Sequence, residues 1–139
     1  MIAFDSDILT EVWKGKLGYA DRAALIPREE QFVPIVVAEE AMRGCLNYVR
    51  QADAGKIRVP LTEAYEQLQT NLQRLGRMHL LPYSAHAHTI YLRLKSQKLR
   101  IGTRDLRIAS IDLAHHATLI TRNRRDYEIV PSLKLEVWN

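Results

Sequence analysis

Short apolar runs alternate with longer stretches of helical period along the whole chain. Met1, Ile2, Ala3 and Phe4 lead straight into Asp5, so residues 1 to 5 read as a buried strand, and Ser6 or Asp7 then caps a helix running to about Gly15. Residues 18 to 29 predict a second helix, and Phe32 to Ile35 the next strand. In VVAEEAMRGCLNYVRQADAG the apolar positions 37, 41, 45 and 49 form a ladder on one helical face. Pro60 and Thr62 open an amphipathic helix, LTEAYEQLQTNLQRLGRM, after which Leu80, Leu81 and Pro82 make a short strand. Residues 84 to 98 are helical again until Gly102 breaks the pattern; DLRIASIDLAHH is a compact helix, ATLIT a strand and the alternating LKLEVW the last strand. Strands alternating with helices in this order predict an α/β fold with a parallel sheet covered on both faces.

Composition narrows the class. At 139 residues, with no internal repeat or low-complexity linker, the chain fits one domain over residues 1–139. A content of 47% apolar and 26% charged residues is that of a globular protein. No apolar run approaches the ~18 residues of a membrane span, and no basic-then-apolar leader opens the sequence, so no membrane partner is expected. The single Cys45 has no partner for a disulfide within the chain, which favours a reducing, cytoplasmic setting. The net charge of +4 mildly favours a polyanionic partner.

The candidate chemistry sits where elements change type. In open α/β sheets, ligands bind outside the carboxyl ends of the strands. Asp5 ends the first strand, Thr121 ends ATLIT, Glu39 or Glu40 falls in the first turns of a helix that follows a strand, and Asp105 begins a helix. Several carboxylates at one edge repel and raise one another's pKa unless a cation offsets them. Oxygen donors without an ordered Cys or His set suit a hard cation, Mg²⁺ or Mn²⁺ rather than zinc. Such an ion orients and acidifies water and offsets charge on a phosphodiester. Arg122, Arg124 and Arg125, directly after the strand, are placed to steer backbone phosphates, or are simply a solvated face.

FDSDILT, EEAMRG, GTRDLRIASIDLAHHATLITRNRRDY and the closing VPSLKLEVW resemble, in order and spacing, the PIN-domain nucleases of the VapC toxin type. The resemblance runs the length of the chain and is most specific over residues 102 to 127. It implies a PIN-like three-layer sandwich with a five-stranded, mostly parallel sheet. It also implies Mg²⁺- or Mn²⁺-dependent cleavage of single-stranded RNA, a cognate VapB-type antitoxin and a homodimer. Residue by residue, Asp5 and Asp105 match the direct metal ligands. Glu40 matches the second acid, because Gly44 follows it by four positions, whereas Glu39 stands four before Arg43 and reads as an exposed ion pair. Glu40 would hold a second ion or orient the attacking water. Thr121 and Asn123 match the T-x-N or T-x-D element, and Asp126 or the Asn123 amide fills the fourth position. Ser6 keeps the hydroxyl of the threonine usual after the first acid, whereas Asp7 stands where an amide is usual.

Asp112 departs from the family pattern, which has a small apolar residue there, and is expected to pair with His116, four residues on. Trp13 and Trp138 read as core or dimer contacts rather than base-stacking platforms, and His86 and His88 as exposed or capping. Three other functions compete: a metal-dependent DNA nuclease or phosphodiesterase on the same scaffold, a PIN-like domain that binds RNA without cutting it, and a receiver-like signalling domain. The last needs a lysine ending a late strand; here that strand ends in Thr121-Arg122-Asn123.

Overall fold

A computed structural model describes residues 1–139. Five strands, β1 (Ile2–Phe4), β2 (Gln31–Pro34), β3 (His79–Leu81), β4 (Thr118–Thr121) and β5 (Lys134–Val137), form one sheet in the order β3-β2-β1-β4-β5. Every pairing is parallel, so the expectation of a mostly parallel sheet becomes a wholly parallel one. The register sets Ala3 beside Phe32 on one side and Leu119 on the other, which makes β1 the central strand. Ala3, Phe4, Val33, Leu119 and Ile120 are fully buried, as strands covered on both faces require.

Seven α-helices connect the strands: α1 (Ser6–Trp13), α2 (Ala20–Ala24), α3 (Ile35–Asp53), α4 (Leu61–Gly76), α5 (Ala85–Ser96), α6 (Thr103–His115) and α7 (Arg124–Tyr127). The longest, α3, packs along α4, and α5 packs along α6. The ladder of positions 37, 41, 45 and 49 is the inner stripe of α3, with Val37 and Cys45 buried. The chain winds outward from β1 to β3, then crosses back to β4 on the other side of β1. The order therefore reverses between β1 and β4, and that reversal opens a crevice at their carboxyl ends.

Two local expectations change. Residues 18 to 29 do not make one helix: Gly18 has φ +90, α2 ends at Ala24, and Pro27 starts a separate 3-10 turn over Arg28–Glu30. Proline has no N–H to continue a helix and pushes the residue before it away from helical geometry. The four-residue α7, absent from the sequence reading, is held by its cap: Asn123 accepts from the Asp126 N–H at 3.4 Å.

Candidate active site

Asp5 is the cap of α1 as well as the residue after β1. Its backbone N–H donates to Ile120 O at 2.9 Å, continuing the β1–β4 ladder, and its Oδ1 accepts from the Ser6 N–H at 2.9 Å. The side chain is thereby fixed at the reversal point. Thr121, fully buried at the end of β4, donates to Asp5 Oδ2 at 2.7 Å and accepts from the Asn123 N–H at 3.0 Å. Tyr127, buried on α7, points its hydroxyl between two acids, 3.4 Å from Asp5 Oδ1 and 3.2 Å from Asp105 Oδ1.

Glu40 reaches the same place from α3. Its two oxygens take the Ser6 hydroxyl and, at 2.5 Å, Nη1 of Arg104. Glu39 instead faces solvent and pairs with Arg43 at 3.1 Å, which matches the choice of Glu40 by spacing. Asn123 donates from Nδ2 to Asp126 Oδ2 at 2.6 Å. Of the two candidates for the fourth position, Asn123 lines the crevice and Asp126 does not, being held as the hydrogen-bond partner of the Asn123 amide.

Asp5, Ser6, Asp7, Glu40, Asp105 and Asn123 all line one cavity of about 740 Å³. That size suits a ligand much larger than a hydrated ion. Burial pushes the Asp5 carboxyl up to about 6, against the Thr121 hydrogen bond, and the charges of Asp7 and Asp105 add to the rise. Asp105 is raised too, first by burial and then, against the Tyr127 hydrogen bond, by the charges of Asp126, Glu40 and Asp7. Burial and the two flanking acids hold the Tyr127 phenol far above its ordinary range, so it is a permanent donor.

The acids are turned toward protein partners, and no three of them share a ligating position as they stand. The donor set nevertheless fits a hard cation. Mg²⁺ keeps most of its waters and is commonly held by one or two carboxylates plus substrate phosphate. Asp5 and Asp105, joined by one phenol and both raised first by burial, supply such a pair.

Other expected residues fall elsewhere. Arg122 lies over the Tyr19 ring at 5.7 Å, and neither it nor Arg124 or Arg125 lines the cavity. The cations that do line it are Lys14 and Arg74, which the sequence reading passed over. Asp112 does not pair with His116. His116 leaves α6 in the left-handed conformation (φ 56) and is exposed, while both Asp112 oxygens are buried with no protein partner. Burial, then the nearby Asp5 charge, raises Asp112 well above the carboxylate range. His88 is exposed as expected, with Nδ1 2.8 Å from the Tyr83 hydroxyl. Tyr127 and Arg104 were also missed, though both lie in the block from 102 to 127, beside Asp126 and Asp105.

A five-stranded parallel sheet flanked by helices is the architecture the sequence resemblance implied, and the comparisons agree on the fold. The chain is 37% identical over 79 residues to ribonuclease VapC2 of Rickettsia felis; the match covers 53% of this chain and 59% of that protein, less than two thirds of its length. No protein-family model matches the chain. It superposes over its full length on a chain of VapBC2 from R. felis bound to a DNA fragment from their promoter, with a TM-score of 0.73 at 24% identity and 100% of that chain covered. A chain of DNA-bound VapBC from Salmonella typhimurium gives 0.77 at 16% identity, again covering 100% of both chains. The fold is that of VapC-type PIN domains, and the resemblance carried by the four sequence blocks is borne out. No helix is long and apolar enough to cross a membrane.

Proposed function

We propose that the chain is a metal-dependent endoribonuclease of the VapC type, acting on single-stranded RNA as the toxin of a toxin–antitoxin pair in the cytoplasm. Its partners are a VapB-type antitoxin and a second copy of itself. The observation that carries this reading is the meeting of Asp5, Glu40, Asp105 and Asn123, from four separate elements, on one cavity at the carboxyl edge of the sheet. The sequence likeness to a ribonuclease supports the choice of RNA.

Asp5 and Asp105 would hold Mg²⁺ or Mn²⁺, with Glu40 at its side. When bound, the ion supplies a Lewis acid that acidifies water and offsets charge on the phosphate. The chain's own groups do the rest. Thr121 and the Ser6 N–H pin both Asp5 oxygens. The Tyr127 phenol keeps Asp5 and Asp105 together despite their like charge. The Ser6 hydroxyl sets the Glu40 carboxylate at the mouth of the cavity, where it can accept a proton from attacking water. Arg104, released from Glu40, is within the same region to meet a phosphate oxygen.

Purified protein should cleave single-stranded RNA in Mg²⁺ or Mn²⁺ and stop in chelator. Wild-type rates in both Asp5→Asn and Asp105→Asn would overturn the assignment. A second reading, RNA binding without cleavage, draws on the acids being turned away from a shared ligating position. Tight RNA binding with no chelator-sensitive cleavage under any divalent ion would favour it.

A further inference from the structure

The cavity extends well past the acids. Its wall is built from one stripe of each of three helices: Ser6, Thr10 and Trp13 on α1 with Lys14 just past its end, Glu40, Gly44 and Tyr48 on α3, and Gln67, Asn71 and Arg74 on α4. Trp13 stands eight residues after Asp5, so along α1 it lies on the order of 12 Å from the acidic end. At that far end the charge reverses. The Arg74 guanidinium lies over the Trp13 ring at 5.5 Å, and Lys14 follows Trp13 at the end of the helix. Arg74 is held there: its Nη1 donates to Asn71 Oδ1 at 3.3 Å, and the buried Asn71 donates from Nδ2 to Cys45 Sγ at 3.0 Å. On the α3 wall, a Cβ at Gly44 would meet no atom within 4 Å, so this side of the groove is open there.

We propose that this distal end is a nucleobase subsite: an unpaired base of single-stranded RNA, next to the scissile phosphate, stacks on the Trp13–Arg74 pair while Lys14 and Arg74 meet its phosphate. The proposal rests on the nuclease reading for the position of the scissile phosphate. Its physical content is separate. An aromatic ring with a guanidinium on its face and a lysine at its edge is a platform for a flat, anionic, weakly sequence-selective ligand. The opposite charges at the two ends of the groove set polarity: the acids would hold a cation that meets one phosphate, and Lys14 and Arg74 meet another further along the backbone. The sequence reading placed Trp13 in the core or a dimer contact; it does pack against the core, and it also lines this groove.

The test is binding in chelator, where no cleavage occurs. Full-length protein is titrated with hexaribonucleotides of uridine or adenosine and with an abasic hexamer of the same backbone, reading tryptophan fluorescence. Trp138 is buried in the core, so quenching reports Trp13. The intact hexamers should quench and bind; Trp13→Ala should weaken binding roughly tenfold, and Trp13→Phe should keep most of it. The abasic hexamer should bind wild type about as weakly as the intact hexamer binds Trp13→Ala. Because Trp13→Ala removes a part-buried ring, Gly44→Leu provides a second arm. It replaces a helix glycine with a strong helix former and fills the groove from the opposite wall, so it should block binding while the melting temperature holds or rises. Equal binding by wild type, Trp13→Ala and Gly44→Leu, or equal binding of intact and abasic hexamers, would overturn the subsite. So would quenching by an acidic peptide but by no RNA, which would assign the groove to a protein partner. Trp13-dependent binding without cleavage in any metal leaves the subsite standing and removes the nuclease reading; cleavage with Trp13-independent binding does the reverse.

Discussion

Asp5 and Asp112 carry the same carboxyl group, both are buried, and each lies within electrostatic reach of the other. Asp5 sits at the reversal of strand order with a hydroxyl, a backbone N–H and a phenol on its oxygens, and with an open cavity in front of it. Asp112 sits two turns along α6 with no protein donor on either oxygen and no cavity. Burial raises both, yet the hydrogen bonds to Asp5 pull back against the rise, and nothing pulls back at Asp112. A raised carboxyl alone is therefore a poor guide to function; the donors that orient it and the space it faces make the difference. Asp5 is held ready to be charged. Asp112 is pushed toward its neutral form by burial.

The sharpest break of this contrast is in activity. Asp5→Asn and Asp105→Asn should each lower RNA cleavage by at least about 100-fold, more than is typical for losing a group that only supports a metal ligand. Asp112→Asn should stay within a few-fold of wild type in the same assay. If Asp112→Asn were as damaging as Asp5→Asn, the orphaned acid would belong to the catalytic machinery and the contrast would collapse.

Stability should show the opposite ranking. Each of these acids binds its proton more tightly in the folded chain than in the unfolded one, so protonation favours the native state. The associated stability is present below the unfolded pKa near 4 and is lost as pH rises through the folded value. For Asp5 that window runs from about 4 to about 6; for Asp112 it extends higher. Denaturant unfolding at pH 4.5 and 7.5 should therefore show wild type losing stability as pH rises. Asp112→Leu should remove the share of that loss that belongs to Asp112 and be about 2 kcal/mol more stable than wild type at pH 7.5, since it replaces an unpaired buried carboxyl by an apolar group. A destabilised Asp112→Leu at pH 7.5 would mean that Asp112 has a partner the structure does not reveal.

The parts of this picture that sequence could reach are those carried by local pattern. Alternating apolar runs place all five strands within a residue or two, because burial on both faces forces continuous apolar stretches at β1, β2 and β4. The choice of Glu40 over Glu39 is also local: residues 40, 44 and 48 share a helical face, and that face is the cavity wall. What pattern could not reach depends on contacts between distant segments. Asp112 and His116 have the right spacing for a pair, but the helix ends at His115 and the left-handed turn at His116 swings its ring outward. Three arginines after a strand could steer phosphates or form a solvated face; one is folded over Tyr19, none lines the groove, and the groove cations come from the end of α1 and from α4. Tyr127 joins two acids that are 100 residues apart in sequence, since Asp5 is at one end of the chain and Asp105 near the other.

Metal should separate the two acids again, by a smaller effect. If the folded site holds the ion as proposed and the unfolded chain does not, Mn²⁺ should raise the melting temperature of wild type and of Asp112→Asn together, by the equivalent of about 1.4 kcal/mol at a tenfold excess over Kd. Asp105→Asn should respond much less. Without metal it should melt above wild type, because the carboxylate that Asp126, Glu40 and Asp7 repel is gone. An equal Mn²⁺ shift in wild type and Asp105→Asn would make Asp105 a structural residue.

The smallest expected effect tests what holds Asp5 and Asp105 together. The Tyr127 hydroxyl has one proton and two carboxylate neighbours, at 3.4 Å and 3.2 Å, and its own ionisation is pushed far out of range, so it always donates. Tyr127→Phe keeps the buried ring and removes only that donor. Asp5 retains Thr121 and the Ser6 N–H, whereas Asp105 loses the one hydrogen bond that lowers its pKa. The acid limb of the pH–rate profile should therefore move to higher pH, since Asp105 must ionise to hold the ion. Folding stability should fall by about 1 kcal/mol, the ordinary worth of one hydrogen bond to a charged or partly charged acceptor. The two readouts distinguish the roles: a stability loss with an unmoved pH profile would make Tyr127 a packing residue. A moved profile would mean that the phenol sets the readiness of the site on the Asp105 side alone.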